Sequence, residues 1–279
     1  MDSNSLARYF QKTGAKRLEQ LDYNFLKHLQ RTHLETFAFE GCNPLLGQRV
    51  SLKPEDLIDK FLNHPRGGYC FEQNLFLKDV LKSLGFEANT YLGRVIESNL
   101  GRVIESNSDF GRTHLVNVVN IKSDLYLVDV GFGGYNSPEP LLIQDGYILE
   151  TNLNQYRIKQ VESTYFFQGW IHEDWIDLYS FDFNIYTFGD YEVANWYTST
   201  NPNTTFTQNL NIAIIDGDFR YNLKNNIFSI LKSGHLVKKE ILQNFDHLQE
   251  ILERYFKINP SYLPGWHQKI AEILATDQK

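Results

Sequence analysis

The chain of 279 residues holds only two cysteines, Cys42 and Cys70. Two thiols cannot supply a disulfide scaffold, and they point to a reducing, cytoplasmic setting in which both stay reduced. No histidine or cysteine spacing matches a structural zinc site, so no metal is implied. No run approaches the ~20 apolar residues of a membrane-spanning helix. The opening Met1-Asp2-Ser3-Asn4-Ser5 lacks the basic and apolar regions of a signal peptide. Positive charge is also scarce: 27 Lys and Arg against 34 Asp and Glu leave a net charge of −7. Neither nucleic acid nor an anionic membrane is therefore an expected partner.

What the chain has in plenty is aromatic side chain, with 20 Phe and 16 Tyr. Most belong in a core, and the remainder suits apolar pockets. The length is ample for a substantial core and suggests one to two domains. Periodicity divides the chain coarsely. Up to residue 86 it is helical, over 5–11, 17–36, 54–63 and 70–84, with Pro54 as a first helical residue ahead of Glu55 and Asp56. From 87 to 195 it turns to short β-type runs such as 126–130, 155–161 and 164–169, which suggests a small barrel or curled sheet. From 196 come a few strands, notably 211–215, and then a helix in which Ile241, Phe245, Leu248, Leu252 and Tyr255 make one apolar stripe. No linker rich in Pro, Gly or Ser separates these parts, so they should pack as one body.

The most informative stretch is Arg66-Gly67-Gly68-Tyr69-Cys70-Phe71-Glu72-Gln73-Asn74. It sets a cysteine behind a Gly-Gly break and at the head of a helix that runs to Leu84, with Gly85 as its stop. A thiol in the first turn of a helix sees the positive end of the macrodipole, which favours the reactive thiolate. Set against this, most free cysteines are small buried hydrophobes. A nucleophile also needs a base, and the base needs a group to hold its tautomer. Two β-type segments, 113–120 and 125–130, flank Lys122-Ser123-Asp124 and read as a hairpin. With Lys122 and Ser123 as a two-residue turn, His114 faces Gly131 and Asp129 lies on the diagonal of the same face. With Ile121 and Lys122 central, the two become direct neighbours. A three-residue loop would send them to opposite faces. Asp129, inside an apolar run, itself calls for a partner, and His114 is the nearest sensible one.

These motifs, followed by Val128-Asp129-Val130-Gly131-Phe132-Gly133-Gly134, look like the arylamine N-acetyltransferase family. The resemblance runs from Tyr9-Phe10 through 33–52 to Asp190-Tyr191-Glu192-Val193-Ala194-Asn195, Pro202 and Phe206, and weakens beyond 210. It implies an α+β fold: a helical bundle over 1–86, a β-barrel over 87–195, an α/β lid over 196–279, and a cysteine-peptidase-like Cys-His-Asp core between bundle and barrel. It also implies ping-pong transfer from acetyl-coenzyme A, as co-substrate, to an aromatic amine or hydrazine, in a monomer or homodimer. Carried over residue by residue, Cys70 is the nucleophile, His114 the general base and acid, and Asp129 the group that orients it. Phe39, Phe132 and Phe206 would form the amine pocket. Thr113, Gly131, Gly133 and Gly134 would meet coenzyme A, since a glycine run lets a pantetheine arm pass close to the backbone. Glu40 should pair with Arg66 and anchor the loop bearing Cys70. The chain departs from the family at Ala38 and at Gly41-Cys42-Asn43, which puts local loop packing in question. The same Cys, His, Asp order also fits a cysteine-dependent hydrolase, an amide synthase using another acyl donor, or a non-catalytic binding protein.

One feature belongs to this chain alone. Leu92-Gly93-Arg94-Val95-Ile96-Glu97-Ser98-Asn99 repeats at once as Leu100-Gly101-Arg102-Val103-Ile104-Glu105-Ser106-Asn107. The first copy is expected to continue a barrel strand and the second to lengthen the loop before His114. The two copies could also compete for one strand slot.

Overall fold

The computed structural model describes residues 1–96 and 111–276. Helices come first, at Ser3–Thr13, Tyr23–Thr36, Pro54–Asn63 and Cys70–Leu84, with a short turn of helix at Cys42–Leu45. Asp2 and Asp22 cap the first two by accepting the N–H of Ser5 and Phe25 at 2.7 and 2.9 Å. The second cap explains why helix begins at Tyr23 and not at residue 17. Helix Cys70–Leu84 ends at Gly85 with φ 101°, a left-handed position where glycine is favoured. This helix is buried on almost every side, its Phe76 packing on Phe37 and Phe61 in one aromatic core with Phe25.

Eight strands then form one antiparallel sheet. In spatial order these are Leu141–Leu142, Asp124–Val128, His114–Ile121, Glu87–Val95, Asp174–Phe181, Thr164–Ile171, Gln155–Val161 and Ile148–Glu150. A bridge from Asp145 to Ile158 ties one end of the sheet to the strand next to the other end, giving a nearly closed, barrel-like curl. Its interior is packed by Val116, Val118, Tyr156, Ile158, Phe167 and Tyr179. The first octad of the tandem repeat enters the strand Glu87–Val95. The rest of the repeat, from residue 97, lies outside the described residues.

Helix Phe188–Thr200 follows, where β-type runs are expected as far as 195. Its start is fixed by Asp190, which accepts the N–H of Thr187 at 2.7 Å. The second sheet has five strands in the order Phe39–Glu40, Asn211–Asp216, Phe219–Lys224, Ile227–Lys232 and His235–Ile241. One edge thus comes from the helical part of the chain, with Phe39 opposite Ala213. Helices Phe245–Phe256 and Trp266–Thr276 complete a third core with Leu248, Leu252, Trp266 and Ile270. Ile241 corrects the expected apolar stripe: it ends a strand and is 60% exposed, because Asn244 starts the helix by capping His247 at 2.9 Å.

Candidate active site

The Gly-Gly break ahead of Cys70 has a steric origin. A Cβ on Gly67 would sit 1.7 Å from the carbonyl oxygen of Ala38, so only glycine fits. That close approach lets Gly68 donate to Ala38 and Glu40 donate to Gly68, at 3.2 and 3.0 Å. The loop is tied further by charge. Arg66 donates Nε and Nη2 to Glu40 Oε1 at 2.9 and 2.6 Å. Lys60 stands between Glu72 at 2.7 Å and Glu40 at 3.5 Å. Burial works to raise the Glu40 carboxyl, but Arg66 and Lys60 outweigh it and hold the group down to about 2. Cys42, one of the unusual residues here, donates its N–H to Glu40 Oε2 at 2.8 Å. Its neighbour Gly41 makes room for the Phe206 ring, which a Cβ would meet at 2.8 Å. The departures from the family pattern are therefore accommodated locally.

Cys70 is 3% exposed, and its thiol donates to the carbonyl of Thr113 at 3.6 Å. Burial pushes the thiol well up, and the charge of Asp129 adds to this; the N–H groups of Phe71 and Leu115 pull the other way and lose. The position at the helix start acts in the anticipated direction, yet it does not by itself yield a thiolate.

The hairpin adopts the two-residue turn. Ile121 pairs with Asp124, and Lys122 and Ser123 have φ of 51° and 78°. Extending that register sets His114 opposite Gly131, with Asp129 on the same face. His114 donates Nε2–H to Asp129 Oδ2 at 2.7 Å, which leaves Nδ1 as the basic nitrogen. Asp129 also accepts Asn74 Nδ2 and the N–H of Gly131, each at 2.8 Å. Burial raises its carboxyl, but His114, Asn74 and Gly131 together outweigh that and keep it below the usual range. The His114 ring lies between Tyr179 and Phe132, with centroids at 4.7 and 5.3 Å.

Cys70, Thr113 and His114 open onto one cavity of about 840 Å³. Phe39, Phe132 and Phe206 line it, as do Gly131 and Gly134. Gly133 stands beside it, where a Cβ would touch the Phe39 ring at 2.9 Å. Gly131 has a tighter reason to be glycine: its Cβ would lie 2.5 Å from Cys70 Cα. Three contributors escape a reading of the sequence. Asn74 binds Asp129 from one helical turn past Cys70, and polar side chains inside an otherwise buried helix are the signal that marks it. Tyr179 and Arg220 reach the site only through tertiary pairing, and no motif marks them.

A helical layer and a curled eight-stranded sheet thus bring a cysteine at a helix start and a histidine–aspartate pair onto one cavity. Residues 22–261 match the N-acetyltransferase family. An arylamine N-acetyltransferase of Mycolicibacterium smegmatis is 31% identical over 97% of this chain and 98% of its own. The structure of the Salmonella typhimurium arylamine N-acetyltransferase superposes with a TM-score of 0.90 at 28% identity, covering 99% of each chain. That of the Mycobacterium marinum enzyme in complex with CoA gives 0.89 at 29%, over 97% of this chain and 98% of the other. The chain belongs to the arylamine N-acetyltransferase family and is an acyltransferase. Among the described residues no helix is long and apolar enough to cross a membrane.

Proposed function

We propose that this protein moves an acetyl group from acetyl-coenzyme A to an arylamine, arylhydrazine or N-hydroxyarylamine by a ping-pong route through acetyl-Cys70. The observation that carries the reading is the His114–Asp129 hydrogen bond of 2.7 Å, on the same cavity as the Cys70 thiol. His114 Nδ1 takes the thiol proton as sulfur attacks the thioester carbonyl. The imidazolium so formed offsets the burial and the Asp129 charge that disfavour a lone thiolate. The bond from carbon to the coenzyme sulfur breaks, and the coenzyme leaves as a thiol after taking that proton. The amine then attacks the acetyl-cysteine, gives its proton to His114, and Cys70 is released as a thiol. Asp129 holds the imidazole tautomer throughout.

Phe39, Phe132 and Phe206 supply the apolar wall for the ring, and Thr113, Gly131, Gly133 and Gly134 flank the path of the pantetheine arm. The helices before residue 87, the curled sheet up to Phe181, and the chain from the helix Phe188–Thr200 onward serve as the bundle, barrel and lid of a cytoplasmic enzyme. The test is intact-protein mass spectrometry after brief mixing with acetyl-coenzyme A alone. One acetyl group should appear on the parent, vanish on adding an arylamine, and be absent from Cys70→Ala. No adduct together with no release of coenzyme thiol would sink the donor assignment.

A further inference from the structure

A second cavity, of about 800 Å³, shares no lining residue with the one that holds Cys70. Helix Phe188–Thr200 divides the two. Its Tyr197 and Thr198 line the first cavity. Glu192, Asn195, Trp196 and Ser199, at positions i, i+3, i+4 and i+7 of another helical face, line the second. The other wall is the chain over 47–53. Buried bonds fix the two walls to each other. Asn195, only 6% exposed, donates Nδ2 to Val50 O at 3.1 Å and accepts the Tyr69 hydroxyl on Oδ1. Ser199 donates to Asn195 O at 2.7 Å. The cavity is thus preformed, and its volume suits a small molecule, for which about 300–1,000 Å³ is usual.

Two kinds of side chain in this lining lack the partners that the fold supplies elsewhere. Trp196 is 67% exposed and stacks on no other ring among the described residues. Its indole face is apolar surface left uncovered at a cavity wall. Arg49 and Lys53 are exposed and meet no carboxylate among the described residues, in a protein of net charge −7. Other arginines differ: Arg31, Arg66 and Arg112 each pair with an acid. Within the described lining the single carboxylate is Glu192, so positive charge is in excess. An aromatic face beside two unpaired cations complements a flat ring with a negative group.

We propose that this cavity is a second binding site, for a planar aromatic molecule that carries one anionic group. The ring lies on Trp196, and Arg49 and Lys53 hold the anion through charge-assisted hydrogen bonds. The site is separate from the acyl-transfer chemistry and does not depend on it. The anionic group has two chemical sources, a carboxylate or a phosphate monoester.

Calorimetry on the full chain tests it with two pairs of probes. One arm compares 2-naphthoate with neutral 2-naphthamide, the other 2-naphthyl phosphate with neutral 2-naphthol. In at least one arm the anion should bind about fivefold tighter or more than its neutral partner. Trp196→Ala should weaken that anion about tenfold, through lost stacking and lost apolar contact. Replacing both cations, by Arg49→Gln and Lys53→Gln, should bring the ratio within the pair to about one. All three side chains are exposed, so these replacements leave the core intact. Phe132→Ala, which strips a wall of the first cavity, should leave a site whose affinity for the same anion is within about twofold of the parent's. A parent that prefers the anion in neither arm overturns the proposal. So does an affinity that survives Trp196→Ala, a preference that survives loss of both cations, or binding abolished by Phe132→Ala, which would put the probe in the first cavity.

Discussion

Asn74 Nδ2 donates to Asp129 Oδ1 at 2.8 Å from one turn beyond Cys70 on the same helix. The same amide accepts the N–H of Val130 at 3.1 Å, and its Nδ2 also reaches Leu115 O at 2.6 Å. The helix that carries Cys70 therefore also holds the carboxylate that orients the His114 ring. Asn74→Ala removes a hydrogen bond to a buried charge, worth about 1.5–3 kcal/mol. The acetyl-transfer kcat/KM should drop about 10- to 100-fold, while Cys70 remains accessible to mass-detected alkylation. A loss under twofold would show that Asp129 is held without it.

The dependence of thiol reactivity on His114 is a second test. Burial and the Asp129 charge raise the Cys70 thiol, so reaction at neutral pH requires the imidazole to take its proton. Iodoacetamide should modify the parent once, at Cys70, because Cys42 is fully buried and its thiol is also pushed up. In His114→Ala the rate should fall at least about tenfold, the change expected from one pKa unit or more in thiolate fraction. Equal rates in the two proteins would contradict the proton-transfer role.

Acid sensitivity should begin with a histidine away from the cavity. His33 is buried, donates Nε2–H to Gln73 Oε1 at 2.8 Å, and lies 3.2 Å from the Tyr9 hydroxyl. Burial, only partly offset by Gln73, lowers it from 6.5 to about 4. Between those values the unfolded chain binds the extra proton, so stability falls as pH drops, by about 3 kcal/mol over the whole interval. Glu40, held to about 2, is shifted in the same direction and adds its loss only as pH falls below the ordinary carboxyl range. Urea midpoints from pH 7 to 4.5 should decline in the parent and flatten in His33→Gln.

Gly131→Ala probes the contact between turn and helix. Its new methyl would fall 2.5 Å from Cys70 Cα and 2.7 Å from Asn74 Nδ2. Overpacking of this kind costs about 1–3 kcal/mol. A lower Tm and a loss of acetyl-enzyme formation should appear together. An unchanged Tm with full acylation would show that the turn gives way freely.

Helix Cys70–Leu84 could be read to the residue because local signals agree: a Gly-Gly break, an apolar period and a glycine stop. The His114–Asp129 pairing was legible for a related reason, since Lys122 and Ser123 form the turn that sets the hairpin parity. Pro54–Asn63 and Gln155–Val161 were likewise clear. Ile241 misled because an exposed apolar residue at a strand end falls in helical phase with Phe245 and Leu248. Phe39–Glu40 is too short to declare itself; its strand exists only because Asn211–Asp216 comes to pair with it. Arg220 was silent on similar grounds, its acceptors lying 64 to 86 residues away along the chain.

The strand Phe39–Glu40 also carries a consequence for synthesis. Phe39 lines the cavity and Glu40 anchors the loop of Cys70, yet their sheet partners arrive more than 170 residues later, at Ala213 and Ile212. A nascent chain that has emerged through the barrel strands already holds Cys70, His114 and Asp129 but has an open side where Asn211–Asp216 belongs. The wall that Phe39–Glu40 gives the cavity is therefore complete only once Asn211–Asp216 has been made and has paired with it.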